Sequence, residues 1–583
     1  MNQRIVKSLI PLVGLLAWLI VLCPGICEGQ RSQFGQFAPP DAFEHGSALA
    51  YYGSENEWSR RQFEASKVLE QPNRLGQRLI LAIQDGKPEV AAQWCEEYLA
   101  KDAAQLEALF ALAVAQAHLG DVERAFATMQ RAIAAGLPFE RFVAGPRDLL
   151  APLTISDAFQ KYLAAHPVNL IHGPMLGAMT DTSVRVWVRT AEESDIKVQV
   201  YRHPNGATVA APLISASGRT SKQLDYTGVV AVRGLEPGTE YHYDVLINGK
   251  TVTASPRPAF RTFPRAASTA KVQIAFGGCA AYIPENERMW NTIASFHPMA
   301  MLLLGDNVYI DLADQAGPLH RYTYYQRQSR PEFRRLTQST PIFSIWDDHD
   351  AAIDDVWLGP YRHRPSWKPS MLQLQKENWN NPGYGDPQWP GCWFRFTLGA
   401  IDFFMLDCRY YRTNPFGKKP TMLGPVQKKW LLRELKKSTA AFKVIASSVA
   451  WATGAKPGSR DTWDGFPEER EEIFSWIDEH RIDGVVLLSA DRHRSEAWKI
   501  ERPNSYPLYD LLSARLTNVH THELVEGPLF GYKDKCSFGL LTFDRTRADP
   551  QIKYEIVNID GETVHELSIK RSELRSPTSR IQR

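Results

Sequence analysis

Cysteine is scarce in this 583-residue chain: there are seven, and two of them, Cys23 and Cys27, lie in the first thirty residues. The remaining five, Cys95, Cys279, Cys392, Cys408 and Cys536, are an odd and scattered set, which excludes a disulfide framework. Net charge is also nearly absent. Sixty-seven Lys and Arg face 65 Asp and Glu, leaving +2, so bulk charge does not recruit nucleic acid or an anionic membrane surface. Long apolar runs are missing except for one at the start, Leu9 to Cys23, so no bundle of membrane spans is expected. No serine sits in a nucleophile elbow, which argues against a covalent serine route. What is present is an ordinary 44% of hydrophobic residues and 16 tryptophans, enough for sizeable cores in three or four domains.

The N-terminus places Arg4 and Lys7 before the apolar run and small residues after it. This reads as a general secretory signal cleaved near Cys27 or Gly29, with an uncleaved anchor as the alternative. No twin arginine is present, and neither Cys23 nor Cys27 has the small residue before it that a lipoprotein signal wants. Residues 30–60 lack periodicity and read as linker. Over 61–166 a repeat appears: QDGKPEVA (84–91) aligns with HLGDVERA (118–125) at a 34-residue offset, with Gly86 matching Gly120. The glycines end one helix and the small residues let two helices approach, which resembles the tetratricopeptide repeat. Such a region serves as a packed spacer or binds a protein partner. It carries no candidate ligand, so its deletion is expected to spare activity on small soluble substrates. From 170 to 265 the period changes to two, in TSVRVWVRT, DIKVQVYR and TEYHYDVLING, with GLEPGT and NGK as turns. This predicts a small antiparallel sandwich of the fibronectin or immunoglobulin type, supporting its neighbour.

Chemistry concentrates after residue 270. Five apolar runs each discharge polar residues at their C-terminal ends: KVQIAFGGC at Cys279, MAMLLLGDN at Asp306, PIFSIWDDHD at Asp347 to Asp350, FKVIASSVAW at Ser447 and Ser448, and GVVLLSADRH at Asp491 to His493. That is the layout of an α/β sheet with its site along one edge. Carboxylates gathered in a core repel one another and need compensating cations. Carboxylate, phenolate and imidazole together suit hard or borderline metal ions. A rival metal site is VHTHE, with His520 and His522 two apart. The Trp-, Pro- and Asn-rich stretch 363–391 reads as a long loop shaping the mouth of the site. WFRFTLGAIDFFMLDCRYYR reads as a hairpin that leaves Arg409 and Arg412 at its far end.

In this order, GGC, LGDNVY, WDDHD, ASSVAW, WDGFPEER and SADRH resemble the PhoD-like alkaline phosphatase family, and the preceding sandwich resembles that family's N-terminal domain. The likeness covers roughly 170–570. It implies a four-layer α-β-β-α metallophosphatase domain over 270–570. It also implies hydrolysis of phosphate mono- or diesters with ferric iron plus a divalent ion, calcium foremost and zinc or manganese as alternatives. Position by position, it implies Cys279, Asp306 and Tyr309 as iron ligands with Asp306 bridging, and Asp348, Asp491 and His493 as further ligands. Two departures stand out. Ala490 replaces the usual glycine, and Asp354 stands about where related sequences carry an asparagine, which makes the second metal position more negative. Within this frame His349 is the general acid or charge stabiliser, oriented by Asp350. Arg492 is a phosphate clamp, since a guanidinium matches two phosphate oxygens, and Arg409 is a weaker substrate contact. The expected partner is a phosphate-ester substrate and the expected state a monomer. A lipid diesterase using the aromatic loop, and a non-enzymatic secreted scaffold with a decayed site, are the other readings.

Overall fold

The computed structural model describes residues 74–202 and 211–577. The expected signal and linker, and the first part of the helical region, lie outside the described residues.

Helices come first. Leu75–Gln84 and Pro88–Leu99 form one antiparallel pair, and Leu106–His118 and Val122–Ala134 form a second. The same chemistry closes the first helix of each pair. Gly86 and Gly120 adopt φ of 72° and 83°. Around them, Lys87 N donates to Ala82 O and Asp121 N to Gln116 O, the long bond of a glycine-terminated helix. Leu79, Ile80, Leu109, Phe110 and Leu112 fill the space between the pairs. Each such side chain contributes about 1.5–3 kcal/mol on burial. Three shorter helices, Glu140–Ala144, Arg147–Thr154 and Asp157–Ala165, complete the unit.

The β-structure is continuous where the sequence predicts a break. Leu170–Gly177, Ser183–Thr190 and Thr227–Arg233, expected in a free-standing sandwich, extend a nine-stranded sheet instead. That sheet runs Thr563–Lys570, Gln551–Asn558, Ser537–Asp544, Lys271–Gly277, Met301–Leu304, Ile342–Ile345, Leu170–Gly177, Ser183–Thr190, Thr227–Arg233. The join is the parallel pairing of Leu170–Gly177 with Ile342–Ile345, through Gly177 and Ile342. Only the other half of the expected sandwich forms a sheet of its own: five strands, with Asp195–Tyr201 and Glu240–Ile247 at its centre. Period-two alternation marks a half-buried strand but not the sheet that receives it, which accounts for the difference.

A seven-stranded sheet holds Phe394–Leu398, Ile401–Met405, Phe442–Ala446, Val485–Ser489, Leu508–Leu512, Ser495–Ile500 and Phe530–Tyr532, in that order. It packs face to face on the nine-stranded sheet through phenylalanines. Phe343 of one stacks on Phe396 of the other at 3.8 Å, and Phe403 meets Phe543 edge-on at 6.2 Å. Helix Gly424–Lys437 packs on the seven-stranded sheet through Trp430 and Phe404, while Met289–Ser295 reaches the nine-stranded sheet through Phe296 and Phe538. The stretch 363–391 is not an open mouth loop. It contains helix Lys368–Asn378, and Asn380 and Asn381 then bind the nine-stranded sheet through the carbonyls of Arg185 and Ser344. Among the described residues no helix is long and apolar enough to cross a membrane.

Candidate metal centre

The five strands expected to deliver polar groups do so, three from one sheet and two from the other. Their ends come unusually close. A Cβ on Gly278 would lie 2.8 Å from Cβ of Ala490 and 2.9 Å from the carbonyl oxygen of Gly305, and one on Gly305 would lie 2.6 Å from Cβ of Asp347. Glycine is therefore demanded at both positions. The Ala490 methyl fits only because residue 278 has no side chain.

Four of the expected ligands sit in the left-handed backbone region: Cys279 at φ 59°, Asp306 at 53°, Asp491 at 67° and His493 at 49°. That conformation is unfavourable for residues with a Cβ, and such strain gathers at functional sites held by their surroundings. Here it turns each side chain back across the strand ends. Cys279 Sγ, Asp306 and His493 bring one ligand atom each to within 4.8 Å of one another. Asp306, Asp348 and His349 do the same, and so do Asp348, Asp354 and Asp355. Asp306 and Asp348 thus link three groups into one chain. Tyr309 Oη donates to Asp306 Oδ2 at 3.0 Å.

The electrostatics call for a cation. Burial, opposed by His349 and reinforced by Asp348, Asp347 and Asp350, pushes Asp306 well above the carboxylate range. Burial pushes up the Cys279 thiol, with Asp306 and Asp491 adding to it, and the Tyr309 phenol, with Asp306 adding. Burial, helped by His520 and His522, holds His493 well below the usual histidine range and hence neutral. Asp306 Oδ1, Asp491 Oδ2 and His493 Nδ1 are buried without hydrogen-bond partners. Orphaned oxygen and nitrogen atoms, with the Cys279 sulfur beside them, fit a metal ion of hard or borderline character. A cation there would satisfy them and let the thiol and phenol ionise.

Several sequence expectations need correction. His349 is oriented by Asp311, not Asp350: its Nδ1 faces Asp311 Oδ1. Asp350 instead accepts from the backbone N–H of Asn307 at 3.0 Å, Val308 at 3.1 Å and Asp347 at 3.0 Å, pinning the Asp306 loop to the Asp347 loop. Burial, opposed by those backbone donors, raises it to about 7. Arg409 is fully buried and spends its donors on Asp347, on both oxygens of Asp461 and on Val356 O. Its remaining Nη2 proton lies toward Asp348 Oδ1 at 3.7 Å, so it holds the Asp347–Asp348 turn from a fully buried position rather than reaching a substrate. His520 and His522 form no centre of their own, since their rings stand 4.9 and 5.5 Å from that of His493. Asp354 reaches His349 Nε2 at 3.8 Å from a largely exposed rim position.

Arg492 behaves otherwise. It is buried, its Nε donates to Ala455 O at 3.1 Å, and its Nη1 has no hydrogen-bond partner and lies 3.8 Å from Asp491. Sequence reasoning missed Lys456, whose Nζ faces Asp355 at 2.7 Å, Asp461 at 3.5 Å and Asp491 at 3.8 Å. It also missed Asp461. Both lie in a loop between motifs with no local pattern to mark them.

This geometry has relatives. The family model for PhoD-like phosphatase matches residues 274–573, and a domain of unknown function (DUF7800) matches 167–265. Alkaline phosphatase D of Bacillus subtilis (strain 168) is 25% identical over 394 residues, 59% of this chain and 63% of that protein. The chain therefore spans a little under two thirds of that relative's length. A solved structure of PhoD superposes with a TM-score of 0.55 at 19% identity, covering 70% of this chain and 91% of the other. Purple acid phosphatase PPD1 from yellow lupin (Lupinus luteus) gives 0.50 at 13% identity, over 71% and 78%, so the fold is shared with both. With residues 274–573, just over half of it, matched by that model, the chain belongs to the PhoD-like phosphatase family.

Proposed function

We propose that this protein is a metal-dependent phosphoric ester hydrolase acting on phosphate mono- or diesters, exported through its N-terminal secretory signal. The observation that carries the reading is the sharing of Asp306 between two buried ligand groups, one with Cys279 and His493, the other with Asp348 and His349. The PhoD-like family and the alkaline phosphatase D relative support it.

Cys279, Asp306, Tyr309 and His493 would hold the first ion, ferric iron, and Asp306, Asp348 and Asp354 the second, calcium or another divalent ion. Asp491, whose Oδ2 lies 3.8 Å from both Lys456 and Arg492, would be a further ligand at the edge of the same centre. Bound there, the two ions would neutralise the carboxylates, polarise the phosphate and acidify a water. The protein's own groups do the rest. Arg492 presents its free Nη1 to phosphate oxygens. His349, fixed at Nδ1 by Asp311, leaves Nε2 facing Asp354 at 3.8 Å, beside the Asp306 and Asp348 group, where it can hold or pass a proton to the leaving oxygen. Lys456 and Arg409 balance the carboxylates around them, and Cys279, Asp306, Asp348 and His493 are all buried.

The lipid diesterase alternative drew on an aromatic-rich loop at 363–391, and that stretch carries helix Lys368–Asn378 with Trp367 and Trp379 buried. Elemental analysis of purified protein, paired with turnover of a soluble phosphomonoester and phosphodiester, tests the proposal. Iron-free protein that hydrolyses neither ester after any metal addition would refute it. The helical unit, tetratricopeptide-like in its 34-residue spacing, carries no ligand to the centre.

A further inference from the structure

The helical unit nevertheless touches the site. Helix Leu75–Gln84 and the residue before it run against the loop Asp306–Asp311. Arg74, 4% exposed, donates from Nη1 to the carbonyl of Tyr309 at 2.7 Å and pairs through Nη2 with Asp311 Oδ2. Gln77 Nε2 donates to the same Tyr309 carbonyl at 2.6 Å and to Thr323 Oγ1 at 3.0 Å. Asp311 therefore holds Arg74 with one oxygen and His349 with the other. The arginine guanidinium lies 5.4 Å over the Tyr309 ring, and that ring lies 4.4 Å from the imidazole of His349.

The docking is built into the sequence. A Cβ on Gly76 would fall 1.7 Å from Tyr322 Oη, so only glycine lets this helix reach helix Pro318–Gln328. Tyr322 in turn donates to Glu107, whose two oxygens are bridged by Arg141 at 3.0 and 2.9 Å. Gln84 Oε1 accepts from Leu319 N at 3.1 Å, meeting an orphan donor in the first turn of the same helix. A buried arginine directs two of its three hydrogen bonds to one loop of the neighbouring domain, and the third to Gln77, which bonds the same loop. That is more than a spacer needs.

We propose that the helical unit is an integral part of the active site, with Arg74 as a positioning residue that fixes His349 through Asp311. The sequence-level expectation that the unit is dispensable is thereby reversed. The proposal rests on the phosphoesterase reading for its turnover assays, and on geometry alone for its structural one. Asp311 lies in the left-handed region at φ 57°, in a loop that two donors from the helical unit clamp at Tyr309. Without Arg74, Asp311 keeps His349 as its one side-chain partner among the described residues, and the imidazole loses its fixed direction. Partners of this kind, acting one step behind the reacting groups, change activity by about 10- to 100-fold.

The test uses the full chain. Arg74→Ala, Arg74→Lys and, as a control on an exposed face of the same unit, Arg124→Ala are assayed on p-nitrophenyl phosphate and bis(p-nitrophenyl) phosphate. Metal content and melting temperature are measured alongside. Arg74→Ala should lower kcat by about 10- to 100-fold with KM changed by less than about threefold and metal content unaltered, and Arg74→Lys should recover part of the loss. In a His349→Ala background, Arg74→Ala should cost nothing further, because both act through one imidazole. A crystal structure of Arg74→Ala should show His349 turned away from its native position. Full kcat in Arg74→Ala, or a loss that multiplies with that of His349→Ala, defeats the proposal. If the wild type turns over neither ester, the phosphoesterase reading fails by itself. The position of His349 in the variant crystal then decides about Arg74.

Discussion

Cys279 aims its Sγ at Asp306 Oδ2 from 3.6 Å, and both residues hold left-handed backbone to do so. Their strands are neighbours: Met301–Leu304 pairs with Lys271–Gly277 in parallel, and Cys279 N then donates to Gly305 O at 3.2 Å. The parallel register thus places a sulfur and a carboxylate at adjacent strand ends, and Tyr309 adds a phenol three residues on, donating to the same carboxylate oxygen. Sulfur, phenol and a shared carboxylate together are a donor set for an ion that accepts electron density, and ferric iron is such an ion.

Its colour follows. Purified protein carrying ferric iron should absorb through phenolate- or thiolate-to-metal charge transfer. Tyr309→Phe keeps the ring that packs over His349 and removes only the oxygen, so it should bleach or shift the band while the melting temperature stays close to wild type. Cys279→Ser should lower iron content per chain. A colourless wild type, fully active with divalent ions alone, would remove the ferric assignment and leave the two-ion centre standing.

The proposed phosphate clamp makes a separate prediction. Arg492 has a buried Nη1 without a partner, and a charged hydrogen bond is worth about 1.5–3 kcal/mol. Arg492→Ala should therefore lower kcat/KM by about 10- to 100-fold, and inorganic phosphate should inhibit the variant more weakly in proportion. Unchanged phosphate inhibition would place Arg492 outside the substrate's reach.

Much of this centre was legible because five mainly apolar runs each end in polar residues, and all five are strands: Lys271–Gly277, Met301–Leu304, Ile342–Ile345, Phe442–Ala446 and Val485–Ser489. The errors have physical causes. His349 and Asp350 are neighbours in sequence and occupy one helical turn, Asp348–Ala351, where consecutive side chains point apart. Asp350 therefore turns in to the backbone while His349 turns out to Asp311. Arg74 was invisible because its partner lies 237 positions away and no local pattern announces it. Arg409 was misread because a terminal arginine after a strand looks alike whether it meets substrate or a buried carboxylate.

Asp350 can be tested as a structural residue. Asp350→Asn replaces one accepting oxygen with an amide group and strands backbone donors that the carboxylate now satisfies. Each buried donor left without an acceptor costs about 1–3 kcal/mol. The variant should melt lower and lose metal as its two loops part, with turnover falling in step with metal content. Activity lost at full metal occupancy and wild-type stability would restore Asp350 to a direct role.

Behind the loop that carries Asp311, His320 sets an acid limit on stability. It is buried, its Nε2 donates to Leu312 O at 2.9 Å, and its Nδ1 accepts from Gly317 N at 3.1 Å. This is a neutral ring with both nitrogens in use. Burial, opposed by the Leu312 carbonyl and Asp314 and aided by Arg321, lowers it from 6.5 to about 4. The sign follows from proton counting. Between those two values the unfolded chain binds a proton at this ring and the folded chain does not, so acid favours unfolding. The contribution is intact above 6.5, fades as pH falls toward 4, and is constant below that. A depression of this size corresponds to about 3 kcal/mol, at 1.36 kcal/mol per unit. His320→Gln offers a donor and an acceptor without a titrating group. Denaturation of wild type and variant across that window should show wild type losing stability more steeply, with the gap changing by about 3 kcal/mol. Parallel curves would mean that His320 protonates in the folded protein as freely as in the unfolded chain, and that its two hydrogen bonds do not hold it neutral.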